Sequence, residues 1–193
     1  MIAVLEEARA LGFLGPGPVA FHVEHALAYD ELLAGVPGDA LDLGAGGGVP
    51  GLVLAAVDPK RRWVLLDGSS KRTAFLERAA AALGLDNVAV RCARAEEVPD
   101  LRGRFGIVVA RSFGSPPVTA ECAAPLLAVG GVLIVSEPPA SSGADRWQGA
   151  DRVGLGAAVV HPGPPALAVL RQQHPCPAEY PRRTGVPAKR PLW

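Results

Sequence analysis

The stretch LDLGAGGGVPG at residues 41–51 decides the fold. In it, the short apolar run ALDL at 40–43 leads into a turn with four glycines, and an apolar helical pattern follows over 50–57. Glycines permit positive φ and let a ligand approach the backbone closely. The start of a helix adds free N–H groups and the positive end of the helix dipole. The stretch therefore predicts a strand, a ligand-binding turn and a helix in succession.

Strand and helix patterns alternate on either side of this unit, which indicates right-handed crossovers and a mostly parallel sheet with helices on both faces. Two helices are predicted ahead of it, over 1–12 and 19–34. Further strands are predicted over 63–66, 88–92, 105–110 and 130–136, and helices over 70–83 and 117–128. Runs at 153–160 and 166–172 predict a final antiparallel hairpin. We divide the chain into an N-terminal helical segment (1–36), an α/β domain (37–173) and a basic, Pro-rich C-terminal tail (174–193) that lies outside the core.

Composition narrows the class of protein. The chain has 193 residues, 49% of them hydrophobic, which suits one domain with a sizeable core. Lys plus Arg equals Asp plus Glu at 19 each, so RNA binding requires locally clustered positive charge. The three cysteines lie far apart and the four histidines have no metal-ligand spacing, so we expect neither disulfides nor a metal site.

The N-terminus carries acids and lacks the positive region and cleavage site of a signal peptide. No apolar run approaches the roughly 20 residues of a membrane-spanning helix. We therefore expect a cytoplasmic protein that does not bind membranes, and the oligomeric state stays open.

Two ligand classes suit the glycine turn. A dinucleotide fingerprint GxGxxG places pyrophosphate at the helix start, whereas a methyltransferase turn carries an acid two residues before the first glycine. Asp42 precedes Gly44 by two residues and fits the second form, because a carboxylate attracts the ammonium and sulfonium of S-adenosylmethionine and repels pyrophosphate. Asp67, at the tip of the second strand, can accept the ribose hydroxyls of either cofactor. Ala95 and Glu96, after the third strand, can meet an adenine edge.

Several motifs together resemble one family. They are LDLGAGGGVPGLVLA (41–55), LLDGSSKRTAFL (65–76), RAEE (94–97), VARSFG (109–114) and YPRRTGVPAKRPL (180–192). The chain is similar in these motifs to the small-subunit ribosomal RNA guanine-N7 methyltransferases, also called glucose-inhibited division protein B. The likeness runs from about residue 20 to the C-terminus, and His25 stands at the family's usual histidine.

The resemblance implies a Rossmann-like class I S-adenosylmethionine-dependent methyltransferase. It implies a guanine N7 in the helix 18 loop of 16S rRNA as acceptor, and the 30S ribosomal subunit as partner. N7 is an unprotonated acceptor, so we expect no general base and catalysis by alignment of methyl donor and acceptor. Arg94 and Arg111 are the predicted organising residues.

The predicted cofactor-binding residues combine the turn, the strand tips and the positions that the resemblance implies. They are Asp42, Gly44, Ala45, Gly46, Gly48, Val49, Asp67, Gly68, Ala95, Glu96 and Arg111. Basic residues suited to phosphate contact form the predicted RNA-binding set. They are Lys71, Arg72, Arg182, Arg183, Lys189 and Arg190.

The chain departs from the family pattern at three places. Gly68 stands where the family has Ser, SEPPASSG at 136–143 replaces a Lys-Gly, and the N-terminal helical region is short. Three alternatives remain: a methyltransferase acting on a small molecule or a protein, an NAD(P)-binding module, and a non-catalytic RNA-binding protein.

Overall fold

The computed structural model describes residues 1–138 and 143–193. Its helices are α1 (Ile2–Ala10), α2 (Val19–Leu33), α3 (Gly51–Val57), α4 (Ser70–Ala82), α5 (Pro116–Ala123) and α6 (Val186–Lys189). Its strands are β1 (Ala40–Leu43), β2 (Trp63–Asp67), β3 (Val88–Cys92), β4 (Phe105–Ala110), β5 (Leu127–Ser136), β6 (Val159–His161) and β7 (Leu167–Arg171).

The strands form one sheet in the order β3-β2-β1-β4-β5-β7-β6. Strands β1 to β5 pair in parallel, whereas β7 runs antiparallel to both β5 and β6. This arrangement confirms the predicted α/β class, with its mostly parallel sheet and C-terminal antiparallel hairpin. The chain order reverses between β1 and β4, so the carboxyl ends of these strands border a crevice where ligands bind in such sheets.

Nearly every residue of the central strands β1 and β4 is buried. Since successive side chains of a strand point to opposite faces, both faces of these strands are covered. On β4, Val108 and Ala110 join a core cluster that includes α5, while Ile107 and Val109 join a second cluster with α2 and α3. A third cluster packs α1 against α4. The sheet is therefore covered on both sides and is exposed to ligands only at its edges.

The predicted helix over 117–128 is shorter in the structure. Helix α5 ends at Ala123, a 3-10 turn covers Ala124–Leu126, and β5 begins at Leu127. Pro125 explains the difference, since it lacks the N–H that an α-helix needs and its ring crowds the preceding turn.

The C-terminal stretch packs on the domain, which differs from the tail predicted to lie outside the core. Pro187 is buried, and Tyr180, Leu192 and Trp193 pack against the cluster that contains α5. Among the described residues, no helix is long and apolar enough to cross a membrane, and no group of His, Cys, Asp or Glu could hold a metal ion.

Candidate active site

Two cavities open at the carboxyl edge of the sheet. The larger has a volume of about 620 Å³ and the smaller about 240 Å³. Gly44 lines both, so the two cavities lie next to each other at the first glycine of the turn. The larger cavity also touches the ends of β4 and β5, and the smaller touches the ends of β2 and β3. The two cavities together therefore follow the carboxyl edge of the sheet from β3 to β5.

Backbone hydrogen bonds hold the glycine turn against β2. The N–H groups of Gly44 and Ala45 both donate to the carbonyl of Leu66, at 2.8 and 3.0 Å. Gly44 has a φ of +74°, and a Cβ added there would lie 2.6 Å from Cδ2 of Phe113. Glycine is required at this position both by the backbone conformation and by the aromatic ring above it.

Asp42 lies beneath the turn and lines neither cavity, in contrast to its predicted place beside the cofactor. It is 1% exposed, and its carboxylate accepts the N–H of Gly51 at 2.8 Å, at the start of α3. Burial raises the pKa of Asp42 to about 7, against the lowering effect of that hydrogen bond. Asp42 therefore caps the first turn of α3. The N–H of Gly51, at the helix start that was predicted to bind a ligand, already donates to this carboxylate.

Gly48 also supports the turn and lines neither cavity. Its φ is +88°, and an added Cβ would lie 2.3 Å from the Leu52 side chain. Ala45, Gly46 and Val49, by contrast, line the larger cavity as predicted for cofactor-binding residues.

Asp67 lies at the boundary between the turn and the smaller cavity. Its carboxylate accepts the N–H of Gly46 at 3.0 Å and the N–H of Ser69 at 2.8 Å, and it is 5% exposed. Arg72 approaches it at 3.6 Å and lines the larger cavity. A carboxylate offers about four acceptor positions, so two N–H contacts leave room for hydroxyl donors from the smaller cavity.

The rest of the smaller cavity brings together residues that were predicted for different roles. Ala95 and Glu96 were predicted to meet the adenine edge, whereas Arg94 was predicted to organise the site together with Arg111, which lines the larger cavity. Gly68, Arg94, Ala95 and Glu96 all line the smaller cavity. A Cβ at Gly68 would lie 3.3 Å from Cγ of Arg94, so a side chain at this departure from the family pattern would crowd the arginine.

The C-terminal segment closes the smaller cavity, which the sequence did not indicate. Gly185, Pro187 and Ala188 line it, and the N–H of Gly185 donates to Oε1 of Glu96 at 3.0 Å. The Thr184 hydroxyl donates to Oε1 of the neighbouring Glu97 at 2.9 Å. Glu96 thus links the end of β3 to a segment almost 90 residues away in sequence.

Arg111 follows β4 and lines the larger cavity, where the sequence placed an organising residue. Its guanidinium donates to Nδ1 of His22, with Nη1 and Nδ1 3.1 Å apart. Burial lowers the pKa of Arg111, and nearby Tyr29 and Asp42 act in the opposite direction. His22 and His25 both come from α2, so the N-terminal helical segment forms one wall of this cavity.

His25 and Tyr29 lie one helical turn apart on α2. Burial lowers the pKa of His25 to about 4, and the charge of Arg111 adds to the effect. The Tyr29 hydroxyl donates to the Ala110 carbonyl at 3.0 Å, and burial raises the pKa of this phenol. At neutral pH both side chains are therefore uncharged.

The sequence analysis did not predict a buried carboxylate at the β5 side of the larger cavity. Glu137 follows β5, lines the larger cavity and accepts the indole N–H of Trp147 at 2.6 Å. It also pairs with Arg146. The SEPPASSG departure continues past Glu137, and its residues 139–142 lie outside the described part of the chain.

Comparison with known proteins identifies the family. The family model for rRNA small subunit methyltransferase G matches residues 21–138. A methyltransferase of that name from Deinococcus radiodurans is 42% identical over 166 residues, covering 79% of this chain and 65% of the relative. Another from Rubrobacter xylanophilus is 33% identical and covers 100% of this chain and 80% of the relative. The chain belongs to the rRNA small subunit methyltransferase G family.

One solved structure supports the fold independently. The T. thermophilus 16S rRNA N2 G1207 methyltransferase, in complex with AdoMet and guanosine, aligns with a TM-score of 0.54 and 24% identity. The alignment covers 73% of this chain and 36% of that one. This likeness confirms the predicted fold, while the family model and the relatives confirm the predicted family. The chain spans 65% of the length of the Deinococcus relative.

In this member of the methyltransferase G family, the basic residues that were predicted to bind RNA differ in whether they are exposed or paired within the chain. Arg182 is engaged internally: its backbone N–H and guanidinium donate to Glu121, which is 0% exposed, at 2.6 to 2.9 Å. The hydrogen bonds to Glu121 raise the pKa of Arg182. Arg183, Lys189, Arg190 and Lys71 are exposed, and their role in RNA binding stays a prediction.

Proposed function

We propose that this chain transfers a methyl group from S-adenosylmethionine to N7 of a guanine in the helix 18 loop of 16S rRNA, presented by the 30S subunit in the cytoplasm. The observation that carries the proposal is the pair of cavities that flank Gly44 at the strand ends. Membership of the methyltransferase G family supports the same reading.

The cavities suit the two ends of the proposed cofactor. The smaller one, with Asp67 and Glu96 as acceptors, fits a nucleoside whose ribose hydroxyls and exocyclic amine are donors. In the larger one, Arg111 suits the carboxylate of a methionine moiety. When bound, the cofactor supplies an electrophilic methyl group on a sulfonium ion.

The residues that line the larger cavity would surround the acceptor guanine during methyl transfer. A guanine N7 carries a lone pair and no proton, so no side chain has to act as a base. His25 is uncharged at neutral pH, so it adds no positive charge where positive charge develops on the purine. The chain's contribution is therefore to align donor and acceptor and to exclude water.

The decisive experiment is methylation of 30S subunits from cells that lack the endogenous guanine-N7 modification. With methyl-labelled S-adenosylmethionine, we expect one guanine of the helix 18 loop to be labelled and its N7 methylation to appear on base mapping. Label on other bases, or on protein, would contradict the proposed acceptor.

A thermal-shift titration tests the cofactor separately. S-adenosylhomocysteine is expected to raise the unfolding temperature, because a ligand that binds only the folded state stabilises it. NADH is expected to leave it unchanged. A shift with NADH alone would support the dinucleotide alternative.

A further inference from the structure

His22 was given no role in the sequence analysis, yet it connects the α1–α2 connection to the end of β4 at the wall of the larger cavity. It sits on α2 and lines that cavity. Its Nε2 lies 3.2 Å from the carbonyl oxygen of Gly15, in the α1–α2 connection. Its Nδ1 lies 3.1 Å from Nη1 of Arg111, after β4.

These two contacts select one form of the imidazole. A carbonyl oxygen only accepts hydrogen bonds, so Nε2 must carry a proton in the contact with Gly15. A guanidinium only donates, so Nδ1 must be bare in the contact with Arg111. Only the neutral imidazole with its proton on Nε2 satisfies both partners.

The contact with His22 is the hydrogen bond that the described residues give to the Arg111 guanidinium. The guanidinium is partly buried, and among the described residues no carboxylate forms an ion pair with it. A guanidinium has five N–H donors in a rigid plane. A hydrogen bond at one end fixes that plane, and the donors left over can serve a ligand in the cavity that Arg111 lines.

We propose that His22 is a positioning residue for Arg111: as the neutral, Nε2-protonated imidazole it accepts from the guanidinium and aims the remaining donors at the carboxylate of the bound cofactor. The inference rests on the proposed function, because it assigns Arg111 to that ligand. His22 itself does not contact the ligand.

A double-mutant cycle tests the proposal. Affinity for S-adenosylhomocysteine is measured by calorimetry at pH 8 for the unaltered chain and for H22L, R111M and H22L/R111M. We expect H22L to weaken binding about tenfold, the effect of losing one hydrogen bond to a charged group. In the R111M background the same change should have no further effect.

Two more variants separate positioning from a general structural role. H22N offers an amide oxygen near the place of Nδ1 and is expected to recover most of the lost affinity. H161L removes an exposed histidine on β6, and we expect it to bind like the unaltered chain. Equal losses from H22L in both backgrounds, or no recovery by H22N, would overturn the proposal.

Nitrogen NMR of the unliganded protein gives a readout that is independent of binding. Long-range proton–nitrogen spectra should show a protonated Nε2 and a bare Nδ1 for His22, and R111M should shift the Nδ1 resonance. A proton on Nδ1, or no response to R111M, would refute the inference. Failure of the unaltered chain to bind S-adenosylhomocysteine would instead refute the proposed function, and the spectra would still decide the contact.

Discussion

Asp42 and Asp67 lie near the ends of neighbouring parallel strands but at different depths and with different roles. Asp42 is in register with Leu65, two residues before Asp67. Asp42 is sealed under the turn with one N–H donor, while Asp67 borders the smaller cavity with two. The difference arises because the chain turns over Asp42 toward α3 and leaves the tip of β2 open. At the residue scale, we therefore place ligand binding with Asp67 and support of the turn with Asp42.

Asp67→Ala is expected to weaken binding of S-adenosylhomocysteine by roughly tenfold or more, since it removes a charged acceptor that also holds Gly46 in place. Calorimetry measures the affinity, and urea unfolding shows whether the fold is retained. Asp86→Ala, at an exposed carboxylate before β3, is the matched control. Unchanged affinity in D67A would contradict the assignment.

Gly44→Ala tests the turn itself. It adds two costs: about 1–2 kcal/mol for a left-handed backbone and roughly 1–3 kcal/mol for the collision with Phe113. Gly84→Ala is the control, because Gly84 has a φ of +65° and open space around it. We expect G44A to lose more unfolding free energy than G84A, and F113A to recover part of the difference. Equal losses would show that Phe113 does not press on the turn.

At the scale of elements, the C-terminal segment is held to the domain at several points. Arg102 donates to the carbonyls of Cys176, Pro177 and Tyr180 at 2.6 to 2.8 Å. Arg182 covers the buried Glu121. These contacts keep Gly185 in place against Glu96 and so maintain one wall of the smaller cavity.

Arg182→Ala should be strongly destabilising, by about 3 kcal/mol or more, because it leaves Glu121 buried without its cation. Arg183→Ala changes the adjacent, exposed arginine and should stay within about 0.5 kcal/mol. Urea unfolding at pH 7 compares the two. A small effect of R182A would mean that the segment is not anchored through this pair.

At the scale of the whole molecule, the net charge of zero leaves RNA attraction to local clusters. The triple variant R183A/K189A/R190A removes the exposed cations of the C-terminal segment. We expect weaker binding to 16S rRNA and a shallower dependence of log affinity on log salt, since fewer counterions are released. Binding of S-adenosylhomocysteine should persist. An unchanged salt slope would place the RNA surface elsewhere.

The pH dependence of stability also belongs to the whole fold, because the pKa values of the buried Asp42 and the half-buried His25 are shifted in opposite directions. Asp42 has a raised pKa, so its contribution is fully present below about pH 4 and is lost as the pH rises through about 7. His25 has a lowered pKa, so its contribution is present above about pH 6.5 and is lost as the pH falls through about 4.

Asp42→Asn should separate the pH-dependent contribution of Asp42 from that of His25. The free energy of unfolding of D42N minus that of the unaltered chain is expected to rise between pH 4 and 7, by at most about 1.4 kcal/mol per pH unit. Urea titrations at several pH values measure this difference, with D86N as control. A flat difference would mean that Asp42 is ionised in the folded state throughout this range.

The sequence by itself determined the fold class, the glycine turn and the family, because strand–helix alternation and contiguous motifs are local properties of the chain. It also predicted that the site would contain Asp67, Ala95, Glu96 and Arg111, since the ends of parallel strands meet at one edge of the sheet.

Only the tertiary structure decided the rest. It brought His22 from α2 to Arg111, closed the smaller cavity with Gly185, and paired Arg182, a predicted RNA contact, with Glu121. These pairings join residues 61 to 89 positions apart. No periodicity or motif spans such distances, because burial and charge pairing between distant segments depend on how the finished elements pack.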